Sequence, residues 1–125
     1  MMKRDQNLSL GIMVTLLLAL AGCAKLPLDN GAPGAPELAL ASSQINNVAI
    51  QVMVDDPDGD RVTLKFRATN ALGSVVDFSW TSFVDSGSEE IFYLGLGAGQ
   101  WTISAQAKDE LAEVSTSSSL DVTVP

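Results

Sequence analysis

No histidine occurs among the 125 residues, and there is a single cysteine, Cys23. These two shortages exclude the commonest catalytic arrangements. A serine or cysteine nucleophile would have no imidazole base, and a Cys/His zinc centre cannot be assembled. A disulfide within the chain is excluded as well, because the thiol has no partner. Basic residues are scarce: seven Lys and Arg stand against fifteen Asp and Glu, for a formal net charge of −8. With no cluster of Lys and Arg to meet a phosphate backbone, nucleic-acid binding is excluded. Long apolar runs are missing too. The longest, Leu8 to Ala21, is about 14 residues, whereas a spanning helix needs about 20. The acids would supply a carboxylate pair for glycoside hydrolysis. A domain of this length, however, leaves no room for a deep cleft, so the expectation is a non-enzymatic protein.

The amino end has the three zones of a secretory signal: Lys3 and Arg4, then the apolar run, then small residues. Leu20-Ala21-Gly22-Cys23 resembles the lipobox of bacterial lipoproteins at all four positions. The resemblance implies removal of residues 1–22 and a lipid on the Cys23 thiol, which then begins the mature chain and holds it to a membrane. Ala24 stands where Asp tends to retain such proteins in the inner membrane. The outer membrane or cell surface is therefore the expected destination in a cell with two membranes.

Residues 23–43 combine the lipidated Cys with Pro27, Pro33, Pro36, Gly31, Gly34 and several alanines. Prolines remove backbone donors and glycines are costly to order, so this stretch reads as a flexible tether. Only its last part, Glu37 to Ser42, suits an edge strand. From residue 44 to 125 the apolar period is two. Val48, Ile50, Val52 and Val54 form one line, and Val62, Leu64, Phe66 and Ala68 the next. Val76, Phe78, Trp80 and Val84 form a third, followed by Glu90 to Leu94. Trp101, Ile103, Ala105 and Ala107 alternate with Thr102, Ser104, Gln106 and Lys108. Val114, Leu120, Val122 and Val124 share the last line. No i, i+3, i+4, i+7 stripe interrupts them. The expected fold is all-β, an antiparallel two-sheet sandwich of about seven strands. Trp101 is expected in its core, with Trp80 filling the space opposite the small alanines.

Asp55-Asp56-Pro57-Asp58-Gly59-Asp60 joins the first two strong strands. Pro57 presets φ for a turn and Gly59 supplies a positive one, so hairpin chemistry accounts for the loop. Together with Trp80 in a middle strand and Gly99-Gln100-Trp101-Thr102-Ile103-Ser104-Ala105 ahead of Asp109, it resembles the immunoglobulin-like modules of bacteria and archaea related to PKD and fibronectin type III domains. The resemblance covers about residues 44–124 and implies an immunoglobulin-like sandwich. Trp101 stands where those modules usually carry Tyr, and Ala112 where the late turn usually carries Gly.

Two candidate sites follow. Asp55, Asp56, Asp58 and Asp60 crowd hard oxygen ligands of the kind calcium takes. Yet Arg61 occupies the position where a helix–loop–helix calcium loop needs Gly, and the bidentate Glu at its end is missing. Asp109 and Glu110 would add ligands only where the sheets bring them close. No cofactor other than calcium is implied. Phe92 and Tyr93 are consecutive, so they face opposite ways in a strand. The outward one, with Phe83, is the candidate contact surface. The expected function is a lipid-anchored module of the cell envelope that binds a protein or a polysaccharide. A structural spacer or accessory subunit, or a weak calcium binder, are the alternatives.

Overall fold

In the computed structural model the described residues are 30–125. The signal, Cys23 and the first part of the tether lie outside them. Seven strands follow one another: β1 (Glu37–Gln44), β2 (Asn47–Met53), β3 (Val62–Asn70), β4 (Val75–Asp77), β5 (Glu89–Leu94), β6 (Gly99–Asp109) and β7 (Ser118–Val124). They form two antiparallel sheets, β1-β2-β5 and β4-β3-β6-β7. The expected two-sheet sandwich is the observed one.

Alternation decides which side chains meet between the sheets. Val48, Ile50, Val52 and Val54 from β2 and its end face Leu64, Phe66 and Ala68 of β3 and Trp101, Ile103, Ala105 and Ala107 of β6, all buried. The alanines of β6 make room for large neighbours. One of these is Phe66, whose ring lies 5.4 Å from that of Phe92 at a tilt of 51°. Such a tilted pair adds to what area burial alone contributes. Trp101 takes its expected place, 7% exposed. Its indole N–H donates to the Gly97 carbonyl at 2.9 Å, so the aromatic anchor keeps a polar handle although it is not a tyrosine.

Three turns share one design. Asp56 Oδ1 accepts the amides of Asp58 and Asp60. Asn70 Oδ1 likewise accepts those of Leu72 and Ser74, and Asp109 Oδ1 those of Leu111 and Glu113. In each, the amide three residues on donates to the first residue's carbonyl. That fourth residue of the turn has positive φ: Gly59 at 73°, Gly73 at 86° and Ala112 at 69°. A side-chain carbonyl or carboxylate at the first position thus satisfies two loop amides while the fourth turns the chain back.

The edge strand expected over Glu37–Ser42 forms as β1, so the folded unit begins earlier than residue 44. Pro33 and Pro36 are buried, and β1 pairs with β2 along its length with one bulge at Leu40/Ser42. The Gly34 amide donates to the Asp55 carbonyl at 2.8 Å, so the segment is tied down. Proline composition misled because these prolines sit beside the sheet margin, where a missing donor costs nothing.

A correction concerns Trp80. Phe78 N–H donates to Phe66, but Thr81 N–H donates to Leu64, where an unbroken ladder would bring Trp80. Farther on, Val62 meets Val84 where that ladder would bring Ser82. One residue inserted before Thr81 therefore puts Trp80 out of phase with the core, and a second before Val84 restores the phase. It lies instead on the outer side of the four-stranded sheet, its ring centroid 4.4 Å from Lys108 Nζ. Thr81 anchors the crossing: its hydroxyl accepts the Leu64 amide at 3.0 Å, and its carbonyl accepts the Thr63 hydroxyl.

Candidate functional site

At one end of the sandwich, two of the three turns come together. The β2–β3 loop brings Asp56 and Asp60, and the end of β6 brings Asp109; one carboxylate oxygen from each lies within 4.8 Å of the others. The set is only partly the one expected. Asp55 is exposed. Asp58 is turned away, its Oδ2 accepting the Gly31 amide at 2.7 Å. Glu110 is committed to Arg61, whose guanidinium reaches it at 3.0 Å and whose amide donates to it at 3.1 Å. Asp109 joins because β3 and β6 are neighbours, pairing Val62 with Asp109.

Burial sharpens this corner. Asp109 is 1% exposed and Asp56 6%. The Oδ1 atoms of both are spent on loop amides. Asp56 Oδ2 is buried and accepts no hydrogen bond among the described residues. A buried carboxylate oxygen left so is costly, and a cation among the three carboxylates would satisfy it. The donor set is all oxygen, which suits Ca²⁺.

The second candidate lies on the three-stranded sheet. Tyr93 and Ile91 share the outward parity of β5, and they are 69% and 49% exposed. Beside them on β2 stand Ala49 and Gln51, their register partners. Phe92, grouped with Tyr93 as a candidate, is turned inward against Phe66. Consecutive strand residues face opposite sides, and the core took the phenyl ring while the phenol stayed in water. Phe83 is 43% exposed with the Arg61 guanidinium carbon 5.6 Å from its ring centroid. It sits in the segment that follows β4, not on β5, so it does not extend the Tyr93 surface.

The outer side of the four-stranded sheet is polar. Two shallow depressions of about 420 and 290 Å³ lie along it, bordered by side chains such as Thr69, Thr102, Asp121, Lys65, Ser104 and Gln106. Arg67 and Asp77 pair across β3 and β4 at 2.7 Å. The hydrogen bond to Arg67 holds the Asp77 carboxyl below its ordinary value; desolvation opposes this, and the charges of Arg67 and then Lys65 add to the lowering.

Comparison with solved structures places this architecture. The PKD domain of a peptidase from a Thermoplasmatales archaeon superposes with a TM-score of 0.63 at 26% identity, over 77% of this chain and 98% of that one. The fold of this chain is immunoglobulin-like. The fibronectin(III)-like modules of CbhA from Clostridium thermocellum are also similar, with a TM-score of 0.48 at 21% identity over 72% of this chain and 46% of theirs. No family model matches the sequence, and no curated protein does. Within this immunoglobulin-like fold the residues that sequence reasoning missed are Asn70, which builds the third turn, and Ile91, which adds exposed apolar surface beside Tyr93. For Asn70 the signal was present: Asn70 and Gly73 have the spacing of Asp56 and Gly59.

Proposed function

We propose that the chain is a lipid-anchored envelope protein whose immunoglobulin-like domain is a non-enzymatic binding module for a protein or polysaccharide partner. The anchor rests on the Leu20-Ala21-Gly22-Cys23 motif. The observation that carries the binding reading is the pair Ile91 and Tyr93, side by side and exposed on one face of β5. Tyr is among the residues enriched at contact hot spots, and Ile91 beside it extends the exposed apolar surface. A photo-crosslinking residue at position 93, introduced in cells, is expected to give a discrete adduct. The same residue at position 65, on the opposite sheet, is expected to give none. Equal adduct patterns at the two positions, or none at 93, would favour the spacer alternative.

One further observation favours calcium as a second reading: the buried, unaccepted Asp56 Oδ2 beside Asp60 and Asp109. These three residues would hold the ion, with remaining positions left to backbone oxygens and water. The cation would brace the β2–β3 loop against the end of β6. Binding to the folded state stabilises by mass action, about 2.7 kcal/mol at a hundredfold excess over Kd. Millimolar Ca²⁺ should then raise the melting temperature of the full chain by several degrees, and Asp109→Asn should abolish the rise. An unchanged melting temperature would remove this reading.

A further inference from the structure

β5 ends the three-stranded sheet, paired with β2 on one side only. No backbone hydrogen bond reaches its other side among the described residues. Every other margin of the sandwich is guarded. β1 carries a bulge, and its Ser43 hydroxyl donates to the Thr123 carbonyl of β7 at 2.6 Å. Ser118 of β7 closes the same seam by donating to the Pro36 carbonyl. β4 is three residues long and continues into the doubly bulged segment before Val84. By contrast β5 has six residues, EEIFYL, with no proline, glycine or bulge. A regular unpaired strand is a template for another strand, and natural domains normally blunt it.

Resting on the reading of Ile91 and Tyr93 as a contact surface, we infer that β5 receives an extended, cationic segment of a partner protein as an added strand. Main-chain groups would supply the ladder, and alternate apolar side chains of the incoming strand would lie beside Ile91 and Tyr93. Charge selects the occupant. Glu89 and Glu90 begin the strand, and the chain carries a net charge of −8. A second copy of this acidic chain is repelled, whereas Lys or Arg at one end of the entering segment meets the two glutamates. Ser88 Oγ donates to Glu90 Oε2 at 3.0 Å, which fixes that carboxylate near the start of the open margin.

The test uses the isotope-labelled full chain in detergent and three synthetic heptapeptides. One alternates valine and threonine and carries two lysines at one end; the second replaces the lysines by glutamates; the third has a central proline. The lysine peptide is expected to shift the amides of Glu89–Leu94 and slow their exchange, at least tenfold more tightly than the other two. Converting Glu89 and Glu90 to Lys should invert the preference toward the glutamate peptide. Equal binding of the proline peptide, shifts mapping elsewhere, or no shift at millimolar peptide would overturn the proposal. So would protection of the same amides without peptide as protein concentration rises, which would assign the margin to a second copy. If the peptides fail while the crosslinker at 93 still traps a partner, strand addition falls and the binding reading stands. If both fail, the binding reading falls with it.

Discussion

Replacing Trp101 with Ala probes the packing on which the sandwich depends. The indole is buried in the cluster formed by both sheets, and its strand position pairs with Asn70 on one side and Val122 on the other. Removing it deletes a large ring from a core that both sheets share. Truncation of a buried Trp costs about 3–5 kcal/mol. In a domain of this size each kcal/mol moves the melting temperature by about 4–8 °C, so the expected drop is at least about 12 °C. Trp101→Phe separates the two contributions. It keeps a six-membered aromatic ring and removes the N–H that donates to Gly97, an interaction worth about 1 kcal/mol, together with the rest of the indole. Lys65→Ala, on the outward parity of β3, is the control and should change stability by less than about 0.5 kcal/mol. Thermal unfolding followed by circular dichroism reads all three. A Trp101→Ala protein melting within about two degrees of the parent would refute the assignment of this residue to the core.

Three further outcomes are expected. Ala112→Gly should raise the melting temperature by a few degrees, because Ala112 holds a φ of 69° at a left-handed cost of about 1–2 kcal/mol against about 0.5–1 for the entropy of Gly; a fall would show that the turn does not need Gly there. Ser115→Ala should cost about 1–3 kcal/mol, since its buried Oγ accepts the Ala107 amide at 2.9 Å and no other group replaces it; denaturant unfolding measures this. The Asp77 carboxyl, held low chiefly by its hydrogen bond to Arg67, contributes stability that is complete above the ordinary aspartate range. That contribution is lost as the pH falls through the lowered value. An NMR titration should therefore place the Asp77 midpoint below that of an unpaired aspartate, and Arg67→Ala should return it to the ordinary range.

Much of the architecture was legible because a period of two is hard to imitate. The apolar lines of β2, β3 and β6 could face only one way, and each lies where alternation puts it. What failed to show were departures from regularity. Nothing in Phe78 to Val84 marks where two extra residues enter the ladder, so Trp80 was assigned to the core by parity and emerged beside Lys108. Pro33 and Pro36 argued against a packed segment, although a proline at a sheet margin loses no hydrogen bond. At the acidic corner the sequence placed Asp56 and Asp60 in one loop. Which of the remaining carboxylates would join them depended on strand register. The β3–β6 pairing brings in Asp109 and sends Glu110 to Arg61, while Asp58 turns to Gly31. Tyr93 and Phe92 were separable only as opposites; the fit of Phe92 against Phe66 decides which one faces water.

The anchor is the claim from which the envelope reading starts, and the mass of the intact protein extracted from membranes tests it most directly. A chain that begins at Cys23 and carries a diacylglyceryl group on its thiol is expected. A Cys23→Ser protein should remain the uncleaved precursor beginning at Met1. A parent protein that retains residues 1–22, or that begins at residue 23 with an unmodified thiol, would refute the lipid anchor.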